Sequence, residues 1–474
     1  MTVIWVTPVF RKYRYLIIYK FKGGYPMAFS SIEFIFIFLP GFLLVFYLAP
    51  IRLKPYCLLL GSLLFYWLSV KNIAAFLLPV FGILLAYFSG LACRNDHSKA
   101  KLFSTVSLSL MFALLLGFKY AGLFSKTPII VPAGMSFYTF QLTAYIFDVR
   151  RQKYKAEKNP LKLATGMMMF PKLLSGPITP YEDLRPHILN FKCTYDNFDS
   201  GLRTFIIGLG MKVLIADRVG GLWTQVQSMG FDGISTPFAW LGILAYSLQL
   251  YFDFSGYSVM AVGIGKMLGL ELPQNFNYPY ISRSMSDFWR RWHITLGKWF
   301  REYVYIPLGG NRVGRKRQML NLFIVWMLTG IWHGATFNFI LWGLFLFIII
   351  ALEKILKIDR NNAPISHLYM IPAILISWTF FAITDVKALF TFFGKLFPFF
   401  GSSEAVLQTD YIYHGKQYIV YIIVGILAST PLIKKLWDRI NKTPLGTIVL
   451  FIIFWLSIFC LSVGLNDPFM YFNF

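Results

Sequence analysis

Long apolar stretches recur along this chain almost from end to end, and that repetition restricts its fold more than any other feature. Phe34 to Leu48, Tyr56 to Val70, Ala74 to Cys93, Leu102 to Phe118 and Ile129 to Phe147 can each cross a bilayer, the shorter ones with flanking residues added. Only 14% of the 474 residues are charged, against about 25% in a soluble domain. A large soluble domain is therefore excluded. The expected fold is all-α: a polytopic membrane protein of about ten crossings with re-entrant and amphipathic helices, residues 27–474 forming a single membrane-embedded domain.

Charge orients the segments. Arg52 and Lys54, then Arg94, Lys99 and Lys101, then a dense run from Arg150 to Lys162 follow the first, third and fifth crossings, so these connections are expected in the cytoplasm. Leu163 to Leu174 is too short to cross and reads as re-entrant, which requires its backbone to be buried in protein. Thr204 to Leu222 leads out and Phe238 to Leu270 leads back, followed by the basic block Arg283 to Arg317. Leu320 to Leu352 has basic residues at both ends and should be a hairpin with its tip near His333-Gly334-Ala335-Thr336. Leu368 to Ile383, Tyr418 to Leu432 and Ile448 to Val463 complete the set, with the C-terminus outside. The net charge of +24 could suit nucleic acid, but its Lys and Arg lie in short loops where the positive-inside rule places them, so nucleic acid is not an expected partner. The four cysteines form no metal-ligand spacing and no disulfide framework.

The first 26 residues break this charge pattern, since Arg11, Lys12, Arg14, Lys20 and Lys22 would sit on the wrong side. Lys22-Gly23-Gly24 can be encoded as a bacterial ribosome-binding sequence just before the codon for Met27. The expectation is that Met27 is the true start and that residues 1–26 are a non-native stretch, the alternative being an ordinary basic extension.

Ionisable groups within apolar segments are candidates for function. His97, His187, His367 and His414 fall in loops or at segment ends, whereas His333 lies within the hydrophobic hairpin. At 100° per residue, Trp289, Trp292, His293, Leu296, Trp299, Phe300 and Tyr303 share one third of a helix circumference, with Arg290, Arg291, Lys298, Arg301 and Glu302 on the rest. This predicts an interfacial amphipathic helix carrying His293 inward. Neutral imidazoles in a low-dielectric setting suit a general base that takes a proton from a hydroxyl attacking a thioester, chemistry that needs no metal. No H-E-x-x-H, Cys/His cluster, G-x-S-x-G or Walker-type loop is present. Arg312, Arg315, Lys316 and Arg317 could meet the phosphates of an acyl-CoA or an acidic carrier protein, or could simply signal topology. Asp253 and Tyr257 lie four apart on one helix face, and a buried Asp253 needs a partner; an arginine from the amphipathic helix is one option, and a structural role is favoured.

Several long segments resemble the membrane-bound O-acyltransferase family, in its branch of alginate and peptidoglycan O-acetyltransferase membrane subunits: Pro132-Ala-Gly-Met-Ser-Phe-Tyr138, Ser175-Gly-Pro177, Leu250-Tyr-Phe-Asp-Phe-Ser-Gly-Tyr257, Phe288-Trp-Arg-Arg-Trp-His293, Tyr305-Ile-Pro-Leu-Gly-Gly-Asn311-Arg312 and Gly330-Ile-Trp332-His-Gly334. The resemblance covers nearly all of the chain from Met27 onward. It implies a ring of tilted helices around a thinned centre, with a tunnel from a cytoplasmic donor site to the other face. His333 then matches the family's catalytic histidine and His293 its second one, with Asp253, Tyr257, Trp289, Arg290, Arg291, Asn311, Arg312 and Trp332 supporting the donor or the tunnel. It further implies an acyl group, expected to be acetyl, taken from acetyl-CoA or another thioester with no bound cofactor. The group passes to an extracytoplasmic SGNH-type transferase that modifies a polysaccharide, at a bacterial cytoplasmic membrane. The tail Asp467-Pro-Phe-Met-Tyr471-Phe-Asn-Phe474 resembles the branch's aromatic tail, where Tyr471 could carry the acyl group or merely anchor at the interface. Two rivals stand beside this reading. A transporter or flippase would move its substrate intact, and a glycosyltransferase would want outer-face acids, of which the loop from Gly220 to Pro237 holds only Asp232.

Overall fold

A backbone in hydrocarbon must satisfy its N–H and C=O groups within its own segment, which favours helices. The computed structural model accordingly holds no β-strand among the described residues. It describes residues 27–95, 97–123, 131–358, 365–400 and 405–464. The stretch before Met27 and the tail with Tyr471 lie outside the described residues.

Length and apolarity mark Ile73–Arg94, Lys99–Tyr120, Phe337–Leu356 and Pro444–Ser462 as able to cross a membrane. Asp410–Ala428 with Pro431–Ile440 makes a fifth if the pair, bent by 78°, counts as one span. Phe34–Leu48, Lys54–Val70 and Ser366–Ala382 are apolar but shorter. The chain is thus a multi-pass membrane protein, although these measures do not reach the expected ten crossings. Other expected crossings fall on helices enclosed by protein. Met135–Arg150 buries 14 of its 16 residues, including Thr139, Gln141, Thr143 and Asp148, and Thr236–Met267 is buried along most of its length. Neighbours shield such helices from lipid, so they can carry polar side chains that apolarity does not flag.

The hairpin is present as expected. Helix Arg315–His333 ends at Gly334 and helix Phe337–Leu356 begins after Thr336. Gly330 and Gly343 let the two approach: a Cβ on Gly343 would meet the Trp326 carbonyl oxygen at 2.6 Å, and one on Gly330 would strike the Phe339 carbonyl. Small residues at such crossings bring backbones into contact without side chains between them. The burial expected of the segment Leu163 to Leu174 is also found. Asn159 caps helix Pro160–Met168 by accepting from Leu161 N and Lys162 N, the short helix Phe170–Leu173 follows, and residues 165–179 are all buried.

Several basic connections are tied to other connections by hydrogen bonds and ion pairs. Arg151 donates to Glu302 O at 3.2 Å, Lys153 pairs with Glu182 at 3.4 Å, and Arg203 donates to Asn441 O at 2.7 Å. The charge-poor turns also meet one another: Asp410 accepts from Ser235 N at 2.9 Å and Trp240 donates to Leu396 O at 3.1 Å.

The amphipathic segment departs from a continuous helix. Met285–Arg291 and Ile294–Phe300 are two short helices separated at Trp292-His293, with His293 at φ 43°. The break has a partner eighteen residues upstream: Ile294 N donates to Asn275 O and Asn277 N to Arg291 O, both at 2.9 Å. The two faces survive it. Trp292, His293, Leu296, Trp299, Phe300 and Tyr303 are buried while Arg290, Lys298 and Arg301 are exposed, with Trp289 half-buried.

Candidate active site

A helix ends with carbonyls that have no intrahelical donor. At the end of Arg315–His333 another helix supplies the donors. Lys119 Nζ donates to Trp332 O and lies 3.5 Å from His333 O, and Tyr120 Oη donates to Ile331 O at 2.8 Å and Gly334 O at 3.2 Å. A lysine there also opposes the negative end of the helix dipole. The end of Lys99–Tyr120 therefore fixes the tip that bears His333.

His333 is 6% exposed. Rings of Trp332, Trp342 and Phe381 stand 4.4, 4.9 and 5.0 Å from its own, with Phe339 stacked at 6.2 Å. Its imidazole has no hydrogen-bond partner among the described residues. It borders a cavity of about 30 Å³ that Lys119, Trp332 and the chain from Val131 to Phe137 also line.

His293 is held differently. Asn275 Oδ1 lies 3.1 Å from His293 Nδ1 and accepts from Thr295 N at 3.2 Å and from Thr295 Oγ1 at 2.9 Å. The Thr295 N–H identifies that amide atom as oxygen, so Nδ1 carries the imidazole proton and Nε2 the lone pair. Nε2 is buried without a partner among the described residues. The Phe137 ring connects the two histidines, lying 6.2 Å from His293 at 22° while Phe137 lines the His333 cavity. Phe140 does the same one turn on, stacking on Trp299 at 4.2 Å and meeting Trp332 at 5.4 Å.

Of the remaining candidates, Trp332 lines the cavity beneath Lys119, 5.2 Å from its ring. Trp289 packs on Trp342 at 5.6 Å and so backs the His333 box. Tyr257 is buried and stacked on Phe29 at 4.5 Å. Asp253 has a different partner from the arginine considered above. Lys212 Nζ is 2.6 Å from Asp253 and 2.5 Å from Asp217. Lys212 comes from the π-helical segment Met211–Ala216 and reaches the neighbouring helix Thr236–Met267 at Asp253. Arg290 and Arg291 instead pair with Asp287 at 3.4 and 2.9 Å. Asn311 accepts from Tyr305 Oη at 2.6 Å and Gln318 Nε2 at 2.8 Å. Arg312 is exposed with Arg315, Lys316 and Arg317 at the start of the helix that ends in His333. That helix has 19 residues, so at 1.5 Å per residue the basic group stands roughly 28 Å from the histidine.

Sequence reasoning missed Lys119, Tyr120, Asn275 and Glu353. Glu353 is buried in the second hairpin helix, where it accepts from Met285 N, from Ser286 N at 3.0 Å and from Tyr369 Oη at 2.8 Å, fastening the start of the Trp289 helix. Lys119 and Glu353 were signalled as charges at the ends of apolar runs; nothing marked Asn275. Among the described residues no three His, Cys, Asp or Glu side chains group as a metal site.

The profile of the membrane-bound O-acyltransferase family matches residues 158–384. The protein named "Probable alginate O-acetylase AlgI" from Pseudomonas putida is 33% identical over 94% of this chain and all of its own length. This chain belongs to the membrane-bound O-acyltransferase family. A peptidoglycan O-acetyltransferase of Helicobacter pylori is 36% identical over 67% of the chain and 68% of its own. A teichoic acid D-alanyltransferase of Bacillus subtilis is 29% identical over 45% and 56%. As a member of the membrane-bound O-acyltransferases the chain is an acyltransferase, and both histidine segments lie within the matched region.

Proposed function

We propose that this O-acyltransferase takes an acetyl group from a cytoplasmic thioester and moves it across the membrane for O-acetylation of a cell-envelope or extracellular polysaccharide. The observation that carries the reading is His333: a buried imidazole, without a hydrogen-bond partner among the described residues, facing a cavity at the tip of a membrane hairpin. Relatives named for acetylation of alginate and of peptidoglycan support the acceptor class. The exposed group Arg312, Arg315, Lys316 and Arg317 supports a phosphate-bearing donor, acetyl-CoA or a carrier protein. The protein would act in a bacterial cytoplasmic membrane with its C-terminus outside, handing the group to an extracytoplasmic SGNH-type transferase.

The chemistry follows from the two rings. His333 takes the proton of an acceptor hydroxyl, whose oxygen bonds to the thioester carbonyl carbon. The resulting tetrahedral intermediate expels the thiolate, which takes the proton back from the imidazolium. His293, its Nδ1 proton committed to Asn275, turns Nε2 inward as an acceptor that orients the incoming group. Tyr471 is proposed as a transient carrier of the acyl group.

Purified protein in liposomes, supplied with radiolabelled acetyl-CoA, tests this. Transfer should fall by roughly 10²- to 10⁴-fold in folded His333→Ala, the range for loss of a general base, and stable label on the protein should vanish in Tyr471→Phe. Unlabelled wild type with every thioester and partner supplied, alongside passage of an intact substrate, would favour a transporter.

A further inference from the structure

The cavity facing His333 is bordered by the start of another helix. Met135–Arg150 begins at Gly134, whose φ of 74° and contact with the re-entrant segment leave no room for a side chain; a Cβ would lie 2.5 Å from Leu173 O. With no side chain capping it, the helix presents its first N–H groups. Met135 N donates to Pro132 O at 3.1 Å, but the N–H groups of Ser136 and Phe137 meet no acceptor among the described residues. Both residues line the cavity. Such N–H groups carry roughly half a positive charge at a helix start.

Lys119 adds a full charge to the same lining. It lines the same cavity while holding the Trp332 carbonyl, and no carboxylate lines the cavity among the described residues. The buried imidazole of His333, unpartnered among the described residues, completes the wall. A base, two uncommitted N–H donors and a cation lining one small space match what a tetrahedral acyl-transfer intermediate requires.

We infer that Lys119 and the N–H groups of Ser136 and Phe137 form the oxyanion site of the acyl transfer. The inference rests on His333 being the base. When the acceptor oxygen bonds to the carbonyl carbon, the π pair of the thioester carbonyl moves to its oxygen. That oxygen is held by the two N–H groups and the Lys119 ammonium. The pair returns as the carbon–sulfur bond breaks, and the thiolate leaves with the proton that His333 had taken. No other reactant is needed.

Full-length protein in nanodiscs, with release of thiol from acetyl-CoA followed at varied donor concentration, tests the site. Lys119→Gln keeps an N–H donor, on a side chain one bond shorter, but lacks the charge. Ser136→Pro removes one N–H in the first helical turn, where proline is tolerated. Each should lower kcat by about 10²- to 10³-fold, the loss typical of one oxyanion donor, with the KM for acetyl-CoA and the melting temperature held. Lys119→Gln keeping kcat within about threefold overturns the site and leaves Lys119 as a helix clamp, as does a rise in KM alone, which signals uniform binding. If instead His333→Ala matches wild type, the base itself is misassigned, a failure distinguishable from loss of the oxyanion site alone.

Discussion

One methyl group added at Gly343 tests whether the hairpin positions His333. A Cβ there would sit 2.6 Å from the Trp326 carbonyl oxygen and 3.3 Å from its carbon, with the Gly330 Cα at 3.6 Å. The two atoms that are too close, the Trp326 carbonyl oxygen and carbon, are backbone, so no rotamer change relieves them. Restoring ordinary contact requires the helices to part by roughly 0.8 Å, and overpacking of this kind costs about 1–3 kcal/mol. His333 follows Gly330 by three residues on the same helix, and its ring packs on Phe339 and Trp342 of the other. Parting the helices therefore displaces the base relative to its own enclosure. A misplacement near 1 Å can cost about 10²-fold in rate, so Gly343→Ala should reduce kcat for acetyl-CoA turnover by about that factor and lower the melting temperature. Gly394→Ala, with nothing within 4 Å of its Cβ, should leave kcat unchanged. Wild-type kcat and melting in Gly343→Ala would refute the claim that hairpin spacing sets the site.

Asn275→Ala removes the acceptor shared by His293 Nδ1 and both Thr295 donors; a buried donor left unsatisfied costs about 1–3 kcal/mol. Melting temperature and kcat should both fall, and a variant indistinguishable from wild type in both would show that Asn275 does not orient His293. Lys212→Met leaves Asp217 and Asp253 buried without the lysine they share, a change worth about 3–5 kcal/mol. Thermal unfolding should shift down sharply and recover when both aspartates are changed to Asn; an unshifted single variant refutes the pairing.

How much of this was legible follows from the range over which each signal acts. The hairpin was readable because basic residues stand at both ends of Leu320 to Leu352, an asymmetry that topology must resolve whatever packs around it. The buried and exposed faces of residues 288–303 were readable because helical periodicity resumes with the same phase after His293. The break itself was not, since the partners that satisfy its backbone and side chains come from Asn275 and Asn277, distant in sequence from the helical pattern. Asp253 illustrates the same limit. Its burial demanded a cation, but the supplier, Lys212, lies on a different element, the π-helical segment Met211–Ala216, that no charge pattern marks as its neighbour.

The site is hardest to read because it is assembled from element ends. Periodicity describes the sides of helices, whereas the His333 cavity is bounded by the last turn of Lys99–Tyr120, the first turn of Met135–Arg150 and the tip of the hairpin. Ends are where helices carry unpaired backbone groups and opposed dipoles. Bringing C-terminal and N-terminal ends to a single buried point leaves carbonyls that need a cation and N–H groups that need an anion. Lys119 answers the first demand within the fold. The second is open among the described residues, and a reaction that creates a negative oxygen next to His333 meets it only while the chemistry is under way.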